Sequence, residues 1–179
     1  MQVKGKAFTS ALEYTDKKYG CEKVKSFFTH FPAFEEIKNY NDLNWYSLDI
    51  YLKFSESIDK YFGFGDALLL VEIGEYSAKK AFESTHRLFK DFSMQCALSN
   101  AQSVFLSYYS AGIAEIKYLR DNKINFSVKN LPVSPYLGKT IHGWIRHAVR
   151  SIKANDTNVV ELETKTCLCY SIEWTNLAG

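Results

Sequence analysis

The chain is most easily read first by what it has little of. Among 179 residues there are three prolines, two methionines and four cysteines. No linker, low-complexity segment or convincing repeat interrupts it. The longest apolar run, Ala67 to Val71, is far short of the length a bilayer demands, and no membrane span is expected. Net charge is only +2 with a pI near 8.2, too mild a balance to argue for nucleic acid.

Cys21, Cys96, Cys167 and Cys169 show no framework spacing, and Met1-Gln2-Val3-Lys4-Gly5 leads directly into a helical pattern rather than a signal peptide. Both features predict reduced thiols in a cytoplasmic protein. In that setting the acceptor patterns Asn125-Phe126-Ser127 and Asn155-Asp156-Thr157 carry no meaning. Catalytic signatures are missing too. There is no HExxH and no Ser-His-Asp or Cys-His arrangement, and the Gly138-Lys139-Thr140 that hints at a P-loop has Val133 where its first glycine belongs. Gly63-Phe64-Gly65 lacks a preceding strand and a third glycine, so it reads as a helix break rather than a dinucleotide fingerprint. No residue is nominated as catalytic, and the chain reads as a non-catalytic domain.

What is present is aromatic. Phe, Tyr and Trp make up 16% of the chain against 23% charged and 46% hydrophobic residues, and both a thick core and an aromatic-lined cavity account for that load. The length suits one domain over residues 1–179. Its first half is helical by period. Val3, Ala7, Phe8, Ala11, Leu12, Thr15 and Tyr19 share one face and Gly20 ends the run. A shorter helix covers Glu22 to Thr29 before Pro32, and Leu48, Tyr51, Leu52, Ser55, Ile58 and Phe62 trace another. After the Gly63–Gly65 break, Asp66 stands where a carboxylate suits a helix start. The stripe Ala67, Leu70, Val71, Gly74, Ser77, Ala78 and Ala81 predicts a close helix-packing seam, and a further turn or two over Phe82 to Phe92 carries His86.

From Asn100 the period changes to two. Strands are predicted over Val104–Tyr109, Ala114–Tyr118 and Ile124–Val128. A helix follows, with Ile141, Ile145, Ala148, Val149 and Ile152 on its apolar stripe and Lys139, His142, Arg146, Arg150 and Lys153 on its polar one. Asn155-Asp156 ends it, and strands around Val160–Leu162 and Leu168–Trp174 close the chain. The expected class is α+β, with N-terminal helices packed on an antiparallel sheet and a C-terminal order β-β-β-α-β-β. The basic stripe reads as a solvated helix face that Glu161 and Glu163 partly neutralise. Cys167 and Cys169 share one side of a strand; two apart on extended backbone they do not readily bond each other. They read as structural thiols, or as half of a zinc site with Glu161 or Glu163.

Several short features in order resemble an uncharacterised family best known from myxobacteria. They are Val3-Lys4-Gly5, Gly20, Trp45-Tyr46, Gly63-x-Gly65-Asp66, Gly74, Tyr108-Tyr109-x-x-Gly112, Gly143-Trp144 and Cys169-Tyr170-x-Ile172-x-Trp174. That family is similar in turn to the haem nitric-oxide-binding domains, the 4-vinyl reductase domains and the TRAPP vesicle-tethering subunits. The resemblance implies a shared α+β fold with a cavity between helices and sheet that takes haem, a small aromatic or an acyl chain in relatives. The haem sensors carry a proximal His and a Tyr-x-Ser-x-Arg clamp for the haem propionates. Here Tyr108-x-Ser110-x-Gly112 has a glycine in place of the arginine, which argues against haem even with His86 upstream. The 4-vinyl reductase type uses several cysteines near this hairpin for zinc, where this chain has Cys167 and Cys169 alone, so no metal set is assigned.

The leading expectation is a cytoplasmic, sensory, small-molecule-binding domain with an apolar pocket between helices and sheet. His86, Phe105, Tyr108, Tyr109 and Trp144 are its expected contacts, and an apolar or aromatic small molecule its ligand. A protein–protein adaptor or homodimer module with a signalling partner is one alternative. A haem-based gas sensor is the other, and no cofactor is otherwise assigned.

Overall fold

The computed structural model describes residues 1–87, 93–152 and 154–176. Its first element is not the predicted helix but a short strand, β1 (Gln2–Lys4), with helix α1 (Gly5–Tyr19) starting directly behind it. Val3 is fully buried, because β1 pairs with β2 (Trp45–Ser47) on one side and bridges Tyr109 on the other. Gly5 is required at this junction: a Cβ there would lie 2.0 Å from the Asn41 carbonyl oxygen. Gly20, at φ +86, ends α1 and admits α2 (Cys21–His30) without a linker. A 3₁₀ segment (Pro32–Asn39) follows, then α3 (Leu48–Phe62).

The Gly63–Gly65 break holds. Asp59, fully buried on α3, accepts a 2.8 Å hydrogen bond from the Ala67 amide, and Asp66 accepts one of 3.0 Å from Leu68. These two carboxylates organise the start of α4 (Leu68–Glu83). The small-residue stripe on α4 is a seam, as its pattern predicts. Gly74 lies against the Thr140 carbonyl and Gly143 against the Val71 carbonyl, where a Cβ would come within 2.1 and 1.9 Å. Two facing glycines thus let α4 and α7 (Pro135–Ser151) touch backbone to backbone.

The segment predicted as a first strand is mostly helical. After α5 (Met94–Ser99), α6 runs Ala101–Leu106, and of the predicted strand only the bridge at Tyr109 is extended pairing. The alternation of Val104–Tyr109 is overridden by local capping: Ser93 accepts from the Cys96 amide, Asn100 donates to the Cys96 carbonyl and Ser107 donates to the Val104 carbonyl. Gln102 then donates to the Gly112 carbonyl and accepts from the Ala114 amide, tying α6 to the start of β3 (Ile113–Arg120).

The main sheet therefore reads β-β-α-β-β. Its strands β3, β4 (Lys123–Lys129), β5 (Ala154–Leu162) and β6 (Leu168–Asn176) are antiparallel in the order β3-β4-β6-β5. The α+β class stands with one strand fewer. Cross-strand rows fix the inner face: Tyr118, Ile124, Ile172 and Val159 in one, Ile116, Phe126, Tyr170 and Glu161 in the next. α7 lies across this face with its predicted apolar stripe buried. Its helix ends at Ser151, and β5 begins by Ala154, ahead of the predicted stop. Residues 88–92 of the predicted turn and Lys153 of the polar stripe lie outside the described residues.

Candidate functional site

Four pieces of chain surround one hollow. α4 ends beside it at Phe82, and the Ala81 carbonyl accepts from the His86 amide at 2.7 Å, turning the chain so that His86 faces inward. α6 and the turn after it supply Phe105, Tyr108 and Tyr109. The glycine seam brings α7 close enough for Trp144 to reach the same space, and Phe126 and Ile172 of the sheet form the floor. The cavity is about 140 Å³. All five sequence-predicted residues, His86, Phe105, Tyr108, Tyr109 and Trp144, line it. Sequence reasoning left out Thr140, Ile141, Ile145 and Val149, which also line it. Their helical stripe was legible, but a stripe facing a sheet reads the same whether it packs tightly or borders a void.

Aromatic rings form one wall. Tyr108 and Trp144 meet edge to face at 5.6 Å, and His86 lies 6.1 Å from Tyr108 and 6.3 Å from Trp144 between ring centroids. Phe82 stands 6.0 Å from Trp144. Lys6 sits over the Tyr108 ring at 3.7 Å, a cation–π contact, and burial lowers its pKa. The Trp144 indole N–H leans toward the Tyr108 hydroxyl, yet neither atom completes a well-formed hydrogen bond among the described residues.

Burial keeps this wall uncharged. It lowers the His86 pKa, with the Lys6 charge adding to the effect, and pushes the Tyr108 phenol up to about 12. Tyr109 is raised well above its ordinary value by the same cause. Among the described residues that line the cavity there is no carboxylate, lysine or arginine, so these walls offer a charged guest no counter-ion in exchange for its water. The arrangement suits a small neutral apolar or aromatic guest. Its volume matches the cavity scale at which about 150 Å³ of apolar space takes up benzene.

Haem does not fit these walls. Its two carboxylates need cations, and none is among the described lining residues. The space is also below the roughly 300 Å³ at which ordinary cofactor pockets begin. Of the two matched positions of the clamp pattern, Ser110 has its hydroxyl engaged elsewhere, and the Tyr108 backbone is fixed to β1. The Tyr108 carbonyl accepts from the Lys4 amide, and the Ser110 hydroxyl accepts from the Gln2 amide at 2.9 Å.

The remaining predicted features lie elsewhere. On the basic stripe of α7 Lys139 meets Glu161 at 2.6 Å, the partial neutralisation expected, and Arg146 and the exposed Arg150 both reach Glu75. Glu161 is on the inner face of β5, and that ion pair is why an acidic residue stands there while Val160 faces out. His142, on the same stripe, is half-buried beside Tyr170, and burial lowers its pKa against the opposing pull of Glu161. Among the described residues no group of three or more His, Cys, Asp or Glu is placed to hold a metal. No described helix is long and apolar enough to cross a membrane.

Comparison of the whole chain with solved structures returns H-NOX proteins. The Fe(II) unliganded H-NOX protein from K. algicida superposes with a TM-score of 0.78 at 14% identity, covering 98% of each chain. A point mutant of T. tengcongensis H-NOX gives 0.73 at 15% identity, over 98% of this chain and 100% of that one. A structure from work on haem distortion in the H-NOX family gives 0.74 at 15% identity, over 97% and 95%. The fold is that of the H-NOX proteins. No protein-family profile matches the sequence, and no curated protein matches it. At these identities the likeness to H-NOX proteins speaks for architecture, and it bears out the helices-on-sheet expectation over nearly the whole length.

Proposed function

We propose that this chain is a sensory domain that binds a small, neutral, apolar or aromatic molecule in the cavity between α4, α6, α7 and the sheet. The observation that carries this reading is a hollow of about 140 Å³ walled by His86, Phe105, Tyr108, Tyr109 and Trp144, with no Asp, Glu, Lys or Arg among the described lining residues. A ligand there touches α7 and the sheet together, so occupancy can bias how the two pack and thereby signal to a partner protein. The placement with the myxobacterial family and a cytoplasmic location belong to the same proposal.

Native mass spectrometry with an absorbance spectrum, on protein purified without added cofactor, tests it. The reading expects a non-covalent extra mass lost on denaturation and no Soret band. A protein that carries no guest and takes up no small aromatic on titration would end it.

A haem gas sensor is the second reading, favoured by Fe(II)- and haem-containing structures of the same fold and by a histidine on the cavity wall. It requires the walls to open well beyond their present separation. It predicts a Soret band lost in His86→Ala, and a colourless protein indifferent to added haemin would remove it.

A further inference from the structure

Cys167 and Cys169 stand apart from the cavity. Extended backbone would hold residues two apart with their side chains parallel, but Cys167 lies in the bend that precedes β6 and only Cys169 is in the strand. The bend turns the two thiols toward each other, and their Sγ atoms are 3.0 Å apart. Both are free and half-buried, so they remain within reach of a small reagent. Thr164 Oγ1 is 3.3 Å from the Cys167 sulfur, and the hydroxyl also donates to the Cys167 carbonyl, which fixes the bend. Leu168, between the two, is buried on the inner face. That anchors the backbone on which the thiols sit.

The geometry points to a reversible disulfide between Cys167 and Cys169, formed by exchange with a small disulfide of the glutathione type. A disulfide needs sulfurs about 2.05 Å apart, so closure asks for a shift of about 1 Å, within the reach of side-chain torsions and the bend. The expectation that these residues cannot readily bond holds for a flat strand and fails here because one of them is not in the strand.

The two thiols are also unequal in a useful sense. Hydrogen-bond contacts with Thr164 and Cys169 lower the pKa of Cys167, while burial and its neighbour raise that of Cys169 to about 11. Cys167 is thus the attacking group. Its thiolate attacks one sulfur of the small disulfide, the reagent's S–S bond breaks, and one small thiolate leaves. Cys169 gives up its proton to solvent and attacks Cys167 Sγ, expelling the second small thiolate. The sum is two protein thiols oxidised to one disulfide and one small disulfide reduced to two thiols. Intracellular disulfides of this kind are typically transient and redox-sensing.

Cys21 and Cys96, exposed and isolated, are internal controls. The full chain is incubated with oxidised glutathione, its remaining thiols are alkylated, and peptides are mapped by mass. The expected result is the loss of two of the four free thiols as an intramolecular link within 167–169, restored by dithiothreitol, while Cys21 and Cys96 carry at most glutathione adducts. In Cys169→Ser the adduct should accumulate on Cys167. Glutathione left on both residues of the wild-type pair, a link between two chains, or a pair that stays reduced while Cys21 and Cys96 react would each overturn the proposal. The wild-type map stands by itself if the variant folds poorly.

Discussion

Two regions of this molecule are equally rich in rings and opposite in outcome. Around α1, α2 and α3, Phe27 has Phe31 at 5.0 Å, Phe28 at 5.3 Å, and Tyr61 and Phe62 each at 5.6 Å, and Phe8, Phe27 and Phe54 are fully buried. Between α4, α6 and α7 the spacings are only slightly wider, yet a cavity remains. The difference is in the ring tips. The dense region is mostly phenylalanine, and Tyr61 sends its hydroxyl to Ser26 at 2.8 Å. The hollow one joins Phe82, Phe105 and Phe126 to His86, Tyr108 and Trp144, whose polar tips are buried near one another. Aromatic abundance alone does not reveal a pocket.

That contrast can be broken most forcefully in the dense region. Phe27→Ala should cost about 3–5 kcal/mol, because tightly packed neighbours collapse poorly into the void. At roughly 2–4 °C per kcal/mol for a chain of this size, a thermal melt will show it. Next comes the seam that positions Trp144. Gly143→Ala must push apart helix backbones that a Cβ would bring within 1.9 Å, and a loss of about 1–3 kcal/mol together with weakened ligand binding is expected in melts and titrations. Phe27→Ala should leave binding per folded molecule nearly intact, which sharpens the comparison.

In the hollow region a larger side chain should act on binding more than on stability. Val104 is half-buried on the cavity wall, and Val104→Phe should fill space with less than about 1.5 kcal/mol of stability lost while guest uptake, read by calorimetry, disappears. The smallest effect is in pH. His86 and His142 both have pKa values lowered by burial, so the unfolded chain binds their protons more readily. Their neutral forms carry no penalty above the unfolded value near 6.5, and stability is lost as pH falls from there through the lowered folded values. Melting temperature should therefore fall between about pH 7 and pH 5. His86→Gln and His142→Gln should each flatten that slope.

Much of the architecture was legible because it is written locally. Gly20, the Gly63–Gly65 break and the stripe of α7 end or define elements by their own chemistry, and the small residues of α4 signal a seam without knowledge of its partner. What was missed depends on distant chain. Val3 follows the helical period of α1 but is taken into a strand by Trp45–Ser47 and Tyr109. Val104–Leu106 alternates like a strand and is folded into a helix, which Gln102 fastens to a backbone ten and twelve residues on. The site divides the same way. His86, Tyr108 and Trp144 stand out as polar-tipped rings, whereas Ile141 and Ile145 carry no local mark separating cavity wall from filled core.

The central claim, that this cavity takes a small neutral guest, is tested most directly by following the tryptophan indole N–H signals by NMR while benzene or phenol is added. Trp144 lines the cavity, and Trp45 lies on β2 away from it. The account predicts a saturable shift of the Trp144 signal with Trp45 unmoved, abolished in Val104→Phe. A Trp144 signal that does not respond, or one that moves only in step with Trp45, would contradict it.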